Sequence, residues 1–575
     1  MTSYKIQVAD RNYSNWTILE TINFDVVDIK MDPITNKLFS NDVFQIKNNG
    51  DVSIMHSSTR QQTDIPGVLV LSGNKTYGRN NKGKQYYKCD PDDVRLPSFL
   101  IPYEIKNVGF SKVFANMYVT FSFLSWDSKH PVGVLSTVIG DTSELFHFYE
   151  YQLYCKSLNA SIQKFHKSTT KAVTKYAEEN YVDHMRLKYN NLEDRTKQAD
   201  WHIFTIDPEN SVDLDDGFSV KTIDHETIMV SIYIANVSIW MDCLNLWETF
   251  SRRIATIYLP DKKRPMLPTL LSDNLCSLHA NTNRVSFTMD VIIKGEVVID
   301  IKYSNCIINV SKNYHYDDPA LFKSKYYIQL FDITKQLSKT YKYISNINNS
   351  HDVVSYLMTF MNCHCAKVLI DNKTGIFRST TMKDSYNIPT GVNEEVVKFI
   401  KIWNSSSGQY VDGASVLNSN VGTLRHDLLN MDAYIHITSP IRRLVDLLNI
   451  IKFQEINHMI SLSENAGRFY DNWLKELEYI NITMRSIRKI QCDCTLLDIC
   501  CNNPATIDRE YDGYVFDKIV RNDGLFQYIV YIQELKMSSR ITTRENYTNY
   551  DMKKVKLFLF NDESRFKRKI RLQIL

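Results

Sequence analysis

The run Trp201–Val220, WHIFTIDPENSVDLDDGFSV, holds four aspartates within ten positions: Asp207, Asp213, Asp215 and Asp216. The alternating apolar residues before Asp207 predict a strand, and Pro208 ends it. Carboxylates this close repel one another and raise each other's pKa values unless a cation lies between them. Mg²⁺ combines one or two carboxylates with water and phosphate oxygens. The run therefore predicts a strand that leads into a metal site for a phosphate-containing ligand.

Two other interpretations of this run stay open. Most aspartate clusters are acidic turns exposed to water, so the pattern alone is not specific. A structural Ca²⁺ loop is the second alternative, although the spacing departs from that of an EF-hand and no bidentate Glu follows at the right distance. A Ca²⁺-stabilised structural protein would gain thermal stability from Ca²⁺ and would need no phosphate-containing ligand.

A second run, Ala433–Leu448, reads AYIHITSPIRRLVDLL. Its Thr438–Pro440 segment predicts a helix start, which would place Arg442 and Arg443 in the first helical turn. Cations at that end oppose the helix dipole, so we expect these arginines to serve an anion. Arginine is suited to a bidentate grip on phosphate. A surface ion pair with Asp446 is the alternative.

The two runs together resemble the two signatures of the RNase II/RNase R exoribonucleases, the RNB family. The first matches D-P-x-x-S-x-D-L-D-D-G, and the second matches Y-x-H-F-T-S-P-I-R-R-Y-x-D-L, in the family's order. Further matches to the family pattern lie between them, at Tyr258–Pro260, Pro265–Pro268, Leu275–Leu278, Ile308–Tyr316 and Tyr356–Asn362.

The resemblance implies an α+β multidomain protein in which an RNB catalytic domain is flanked by cold-shock-type OB-fold β-barrels. The implied division is a β-rich segment of unknown role at 1–65, a cold-shock-like OB-fold at 66–160, the RNB domain at 161–505 and a diverged C-terminal OB-fold RNA-binding domain at 506–575. The chain resembles the eukaryotic exosome-type members most, and we expect no PIN-type endonuclease domain, because the N-terminal segment has no room for one.

Three local expectations accompany this division. The RNB domain should end in one long amphipathic helix whose apolar face carries Phe469, Trp473, Leu474, Leu477 and Ile480. Residues 405–421 should form a loop. The group Cys492, Cys494, Cys500 and Cys501 lacks a C-x-x-C spacing and a nearby His, which favours helix-facing thiols over a zinc site.

The resemblance also implies metal-dependent, processive 3′→5′ hydrolysis of single-stranded RNA to nucleoside 5′-monophosphates. The catalytic metal would be Mg²⁺, with Mn²⁺ as a substitute. Its ligands would come from the four aspartates, Asp207, Asp213, Asp215 and Asp216. By the resemblance, Asp215 is the position whose loss stops chemistry and spares RNA binding.

Four further residues acquire roles from the resemblance. Arg442 would stabilise charge on the scissile phosphate, and Arg443 would be a second RNA contact. Tyr258 would contact the terminal nucleotide, and Tyr316 would set the length of the limit product. Packing inside a barrel is the alternative role for both tyrosines.

Some positions depart from the family pattern. Leu444 replaces the Tyr that follows the paired arginines, Ile450–Ile451 replaces a His-Arg pair, and Asn236 stands where the family has an Asp. Because a fold does not determine an activity, a catalytically weak or silent RNA-binding scaffold is the alternative function.

Composition limits the ways in which RNA could be bound. A net charge of +3 excludes a global basic field, so binding would depend on local patches. The candidate patches, each of which could equally be a solvated face, are Lys82-Lys84-Lys88, Lys262-Lys263-Arg264 and Arg565-Lys567-Arg568-Lys569.

The remaining expectations concern location and partners. We find no apolar stretch long enough for a membrane span and no apolar segment near Met1 that would act as a secretory signal. The eleven cysteines are therefore expected to be reduced thiols. We predict a cytoplasmic or nucleocytoplasmic monomer that binds single-stranded RNA, does not bind membranes, and has exosome-like or other RNA-decay partners that the sequence does not identify.

Overall fold

The computed structural model describes residues 2–105, 114–175, 181–197, 199–344, 346–382, 391–405, 408–419, 422–562 and 566–575. The chain divides into two compact units. The terminal unit comprises Met1–Asn159, Leu259–Asp261 and Lys489–Leu575, and the central unit comprises Ala160–Tyr258 and Lys262–Arg488. The bounds of the four segments inferred from the sequence stay predictions.

The terminal unit begins with a four-stranded antiparallel sheet in the order β2-β1-β3-β4. Its strands are β1 (Ser3–Val8), β2 (Trp16–Glu20), β3 (Val43–Ile46) and β4 (Val52–His56), and a short helix, α1 (Ser58–Gln61), follows. Buried Ile6 and Val8 lie on either side of exposed Gln7, so one face of β1 is buried and the other is open to solvent. The β-rich segment predicted at 1–65 contains these four strands and α1, and its bounds stay a prediction.

A closed five-stranded barrel follows, in the order β5-β6-β7-β9-β8. Its strands are β5 (Ile65–Leu69), β6 (Gln85–Pro91), β7 (Phe99–Tyr103), β8 (Met117–Ser125) and β9 (Val132–Asp141), with a 3₁₀ turn at Ser72–Asn74 and helix α2 (Leu145–Cys155) after β9. Gly67 is required in β5, because a Cβ there would lie 2.9 Å from the Phe121 ring. The barrel and the N-terminal sheet share one hydrophobic core, in which Phe39 stacks on Phe99.

The central unit is built on a six-stranded mixed sheet in the order β10-β17-β11-β12-β13-β16, and β16 also pairs with β17. The first half of this unit contains α3 (Gln163–Thr174), α4 (Tyr181–Lys188), β10 (Leu192–Arg195), β11 (Ile203–Asp207), β12 (Asp216–Thr222), β13 (Thr227–Ala235), α5 (Val237–Cys243), β14 (Ile257–Tyr258), β15 (Lys263–Arg264), β16 (Asn283–Lys294) and β17 (Val297–His315), with a 3₁₀ turn at Trp247–Thr249 and a π-helical turn at Leu270–Leu275. The predicted strand before Asp207 is confirmed as β11.

The second half of the central unit is mainly helical. It contains α6 (Pro319–Phe322), α7 (Lys325–Thr340), α8 (Ser350–Asp371), β18 (Ile376–Ser379), α9 (Glu394–Asn404), β19 (Gln409–Asp412), α10 (Gly413–Ser419), a 3₁₀ turn at Asp427–Leu429, α11 (Leu444–Ile456) and α12 (Glu464–Leu474). Sheet residues such as Phe204 and Ile232 pack with Leu330 of α7 and Phe360 of α8 in one core. This core buries the face of the sheet on which the apolar residues of the alternating strands lie.

Helix α8 is long and apolar enough to cross a membrane by length and composition, where the sequence had suggested no such segment. In the structure 61% of its most apolar window is buried. Val353, Leu357 and Met361 contribute to the core of the central unit. Its hydrophobicity is therefore explained by packing inside this unit.

Three local predictions are corrected by the structure. Residues 405–421 are not a continuous loop, since β19 and α10 occupy most of the described part; positions 406–407 and 420–421 lie outside the described residues. The single long amphipathic helix is two helices, because α12 ends at Leu474 and a second helix, α13, begins at Leu477. Helix α11 begins at Leu444, after the paired arginines, since the backbone of Arg442–Leu444 bonds to Ile254–Thr256 and is extended at Arg443.

Helix α13 (Leu477–Asn502) begins in the central unit and ends in the terminal unit. The C-terminal part of the terminal unit then comprises α14 (Ala505–Asp508), β20 (Glu510–Val520), β21 (Phe526–Ile532), β22 (Met537–Thr543), β23 (Met552–Asp562) and β24 (Lys567–Ile574). The five strands form an antiparallel sheet in the order β22-β21-β20-β23-β24. The four clustered cysteines, Cys492, Cys494, Cys500 and Cys501, all lie on α13 as free thiols, as predicted. The assignment of this sheet to an OB-fold stays a prediction.

Two of the candidate basic patches are engaged inside their own units. Lys567 is buried and pairs with Asp92 at 2.5 Å, while Lys569 pairs with Asp562 at 2.8 Å; Arg565 lies outside the described residues. Lys263 bridges two acids, as described below. The patch around Lys82 and Lys84 is exposed on the barrel.

Candidate active site

The acidic run joins two neighbouring strands of the central sheet. Asp207 is the last residue of β11, and Asp216 is the first residue of β12. The connection between them is tied to Ser277, whose Oγ accepts from Leu214 N at 3.0 Å and donates to Val212 O at 2.8 Å. These two hydrogen bonds hold the loop in position, and the four aspartates face one place.

That place is a cavity of about 410 Å³, called here the active-site cavity. All eight site residues predicted from the sequence line it: Asp207, Asp213, Asp215, Asp216, Tyr258, Tyr316, Arg442 and Arg443. Helix α8 contributes Val354, Ser355, Met358 and Asn362 to its wall. The structure therefore brings both signature runs to a single site.

Asp215 connects the two runs directly. Its Oδ1 accepts a hydrogen bond from Ile441 N at 2.9 Å, and its Oδ2 accepts one from Arg442 Nε at 3.1 Å. Arg442 Nη2 also donates to Ser439 Oγ at 3.0 Å. Burial raises the pKa of Asp215 to about 7, against the opposing influence of the Arg442 charge. Each oxygen of this carboxylate thus already has a protein donor.

Asp213 is engaged by different partners. Its Oδ1 lies 3.0 Å from Lys263 Nζ, and its Oδ2 accepts from the Tyr258 hydroxyl at 3.0 Å. Lys263 Nζ also donates to Asp273 Oδ1 at 2.9 Å. Two of the four predicted ligands are therefore each held by a basic side chain.

Asp207 and Asp216 have no such partner, because the Oδ2 atom of each is buried and accepts no hydrogen bond from the described residues. Burial raises the pKa of Asp207 to about 7, with Asp215 adding to the shift. Burial also raises the pKa of Asp216 to about 8, and the neighbouring Asp207 charge contributes. A buried carboxylate oxygen without a donor is costly unless a proton or a cation satisfies it.

The donor set of these two aspartates fits a hard divalent cation. Mg²⁺ takes oxygen ligands and completes its shell with water and phosphate oxygens, so two carboxylates suffice. Among the described residues, no three His, Cys, Asp or Glu side chains converge as a complete ligand set. The prediction that all four aspartates bind the metal remains untested, and the contacts of Asp213 and Asp215 favour the other two as direct ligands.

Arg443 forms the ion pair that was the alternative to anion binding. Its Nη2 lies 2.9 Å from Asp446 Oδ1, but Asp446 is fully buried, so the pair is not a surface one. Asp446 Oδ1 also accepts from Ser439 N at 2.8 Å. Arg443 thereby fixes the turn that presents Arg442, and it still lines the active-site cavity.

The two predicted RNA-contacting tyrosines stand at the cavity. Tyr258 is 41% exposed, which argues against simple barrel packing. Tyr316 is partly buried, and its ring stacks on His351 with centroids 3.6 Å apart. Two hydrogen bonds fix the Tyr316 backbone: its N–H donates to the carbonyl of Asp207, and its own carbonyl accepts from Ser350 Oγ. Both rings are thus placed beside the aspartates.

Sequence reasoning missed several residues of the site. Tyr434, His436 and Asn362 line the cavity, and Asn362 Nδ2 donates to the Tyr434 hydroxyl at 2.9 Å. Tyr434 and His436 belong to the second signature run, so the run itself was the available signal. Lys263 was named only as part of a candidate basic patch, and its pairing with Asp213 had no local signal, because Asp213 lies 50 positions upstream.

Asn236, which departs from the family pattern, is fully buried. Its Nδ2 donates to Asn305 Oδ1 and to Gln454 Oε1, both at 2.9 Å. Its Oδ1 caps α5 by accepting from Ile239 N. A neutral amide is required here, because an aspartate could not donate to the two acceptors.

Comparison with known proteins agrees with this geometry. Residues 195–325 match the RNB domain family model. The chain is 29% identical over 163 residues to the DIS3-like exonuclease 2 of Schizosaccharomyces pombe, a stretch that covers 28% of this chain and only 17% of that relative. The match therefore spans a small part of the relative's length.

Two solved structures show the fold of the whole chain. RNase R of Mycoplasma genitalium, solved with ribose-methylated single-stranded RNA, has a TM-score of 0.67 at 16% identity and covers 99% of this chain and 100% of that chain. Yeast Ssd1, described as a pseudonuclease, has a TM-score of 0.55 at 14% identity and covers 94% of this chain and 78% of that chain. The mixed α and β multidomain fold predicted from the sequence is confirmed.

Proposed function

We propose that this chain, which carries an RNB domain and is homologous to RNB-family ribonucleases, is a metal-dependent 3′→5′ exoribonuclease. Its substrate would be single-stranded RNA, degraded processively to nucleoside 5′-monophosphates. One observation carries the proposal: four aspartates, an arginine and two tyrosines from distant parts of the chain line one cavity. A cavity with carboxylates, an arginine that can bind phosphate, and aromatic rings is suited to a phosphodiester and its bases.

The residues divide by role. Asp207 and Asp216 would hold Mg²⁺, or Mn²⁺ in its place, which when bound supplies an activated water and offsets charge on the phosphate. Arg442 would contact the scissile phosphate, and Asp215 orients its guanidinium through the 3.1 Å contact to Nε. A pre-oriented guanidinium stabilises developing charge without reorganising during the reaction.

The tyrosines would bind the RNA end. Tyr258 presents an exposed ring at the cavity, and Tyr316 presents a ring held by His351. Stacking on aromatic rings is tolerant of base identity, which suits an enzyme that removes every nucleotide in turn. Because Tyr316 N donates to the backbone carbonyl of Asp207 at 3.1 Å, the backbone that carries the stacking ring lies next to the residue that would bind the metal.

We further propose that the protein acts as a cytoplasmic or nucleocytoplasmic monomer on single-stranded RNA. The location and the oligomeric state follow from the sequence expectations alone. Its partners would be exosome-like or other RNA-decay proteins.

A silent RNA-binding scaffold is the second candidate. Yeast Ssd1 shares the fold and is described as a pseudonuclease. In this chain Asp213 and Asp215 already have lysine and arginine partners, which reduces the number of carboxylates that could bind a metal. A scaffold would bind RNA equally well with and without a divalent cation and would not shorten it.

One experiment separates these candidates. Single-stranded RNA labelled at the 5′ end or at the 3′ end is incubated with the protein in Mg²⁺ or in EDTA. We expect a 3′ label to appear at once as a mononucleotide, a 5′ label to end in a short limit product, and EDTA to stop both. RNA that binds and stays intact in Mg²⁺ and in Mn²⁺ would establish the scaffold instead.

A further inference from the structure

An ammonium group lies inside the acidic part of the cavity wall. Lys263 Nζ is 3.0 Å from Asp213 Oδ1 and 2.9 Å from Asp273 Oδ1, and its side chain is only 22% exposed. Lys263 is in β15, directly opposite Tyr258 in β14. One two-stranded ribbon therefore carries both the lysine and the cavity tyrosine.

Asp213 is shared between these two residues. Lys263 occupies its Oδ1, and the Tyr258 hydroxyl donates to its Oδ2. With one donor on each oxygen and a positive charge beside it, this carboxylate is directed toward the protein. It holds the tyrosine hydroxyl in place while the rest of the ring remains exposed.

The charges of the site also separate Asp213 and Asp215, which have basic partners, from Asp207 and Asp216. Lys263 offsets Asp213, and Arg442 offsets Asp215. Asp207 and Asp216 have no basic partner within an ion-pair distance among the described residues, and each has a buried oxygen without a donor. The two negative charges that remain match the charge of one divalent cation.

We propose that Lys263 is a positioning residue of the reaction assigned above: it keeps Asp213 out of the divalent-cation site and makes it the anchor of Tyr258. The inference rests on the proposed function, since it assigns the cation site and the RNA-contacting ring. Removing the ammonium frees a hard oxygen ligand and deletes a positive charge near the cation. Cation binding should therefore strengthen while RNA binding weakens, a pairing that general damage to the site would not produce.

The test compares four variants with the wild type. Lys263→Met removes the charge, Lys263→Arg preserves it, and Lys263→Met with Asp213→Asn removes both charges while keeping an acceptor for Tyr258. Lys262→Met, at the exposed neighbouring lysine, is the matched control for metal binding. Mn²⁺ affinity is measured on the RNA-free protein by electron paramagnetic resonance, and the affinity for a single-stranded oligoribonucleotide is measured by fluorescence anisotropy in EDTA.

We expect Lys263→Met to bind Mn²⁺ about fivefold more tightly, because a unit positive charge close to the cation is removed. We expect its RNA affinity to fall about fivefold, because the stacking ring loses its anchor and an unpaired carboxylate faces the phosphates. The double variant should return both affinities to within about twofold of wild type, and Lys263→Arg should remain within the same limit.

Unchanged Mn²⁺ affinity in Lys263→Met, in a protein that unfolds at the wild-type temperature, would overturn the inference. So would a double variant that stays as defective as the single one. If Lys263→Met does not fold, Lys263→Gln, which also removes the positive charge, takes its place with the same expected directions. A wild-type protein that binds no RNA would reject the proposed function, whereas the variant comparison of Mn²⁺ affinities tests Lys263 alone.

Discussion

Arg442 Nε lies 3.1 Å from Asp215 Oδ2, although the two residues are 227 positions apart in the chain. The contact joins the acidic run to the second signature run. It leaves Asp215 without a free oxygen, since Ile441 N occupies Oδ1. Because both of its oxygens already accept hydrogen bonds, Asp215 is better placed to orient Arg442 than to bind a metal ion.

The first prediction concerns Asp215→Asn. Asparagine can keep the acceptor for Ile441 N, but its amide nitrogen would face Arg442 Nε, so the guanidinium loses its alignment. We expect the single-turnover hydrolysis rate to fall by about 100-fold or more, as for the loss of a positioned charge-stabilising donor. RNA affinity, measured by anisotropy, should change only a few-fold. A variant that keeps more than a few per cent of the wild-type rate at saturating Mg²⁺ would contradict this role.

The second prediction concerns Arg442→Lys. Arginine here uses Nε toward Asp215 and Nη2 toward Ser439, a planar arrangement that a lysine ammonium cannot reproduce. We expect the lysine variant to fold with a normal unfolding midpoint and to lose nearly as much hydrolysis rate as Arg442→Ala. Near-normal turnover in the lysine variant would show that a point charge suffices and that the planar guanidinium is not needed.

The third prediction concerns acid stability of the central unit. Burial, assisted by the Lys367 charge, lowers the pKa of His364 to about 4. Its Nε2 is buried without a partner, and its ring stacks on Phe360. Between the ordinary histidine pKa and about 4, the unfolded chain binds more protons, so stability present at neutral pH is lost as the pH falls.

Urea unfolding of wild type and His364→Phe between pH 7 and pH 4 checks this sign. The phenylalanine variant should lose less stability on acidification, because it has no proton to bind. A steeper loss in the variant would mean that His364 is protonated in the folded protein.

The fourth prediction concerns Lys567, a member of the C-terminal candidate basic patch. Lys567 Nζ pairs with Asp92 at 2.5 Å, and the lysine side chain is 9% exposed. We expect Lys567→Met to destabilise the protein by about 2 kcal/mol, because a largely buried carboxylate is left unpaired. RNA affinity and its salt dependence should stay unchanged.

Lys569→Met is the matched control, since Lys569 also forms an ion pair but is 41% exposed. Its loss should cost about 0.5 kcal/mol or less in urea unfolding. If Lys567→Met were as stable as the control and instead bound RNA more weakly, the buried pair would not be the lysine's main role. The same contacts imply that removing residues 506–575 would expose the surface of the terminal unit that they cover.

Local sequence was sufficient where the determining interactions are local. The apolar alternation before Asp207 placed β11 correctly, because a two-residue period and a following proline describe a strand and its end. The two signature runs also supplied six of the eight predicted site residues, and the family matches between them supplied Tyr258 and Tyr316; all eight line the cavity. Their recognition depends only on residue types at fixed short spacings, so no tertiary contact was needed.

The tertiary structure decided what each of these residues does. The helix predicted at Thr438 begins instead at Leu444, because Arg442–Leu444 bonds to the backbone of Ile254–Thr256. Four equivalent aspartates in the sequence became two pairs with different partners: Lys263 engages Asp213, Arg442 engages Asp215, and Asp207 and Asp216 keep unsatisfied oxygens. Sequence spacing cannot make that distinction, because a carboxylate's role depends on which charge lies within about 3 Å of it, and folding brings those charges from distant positions.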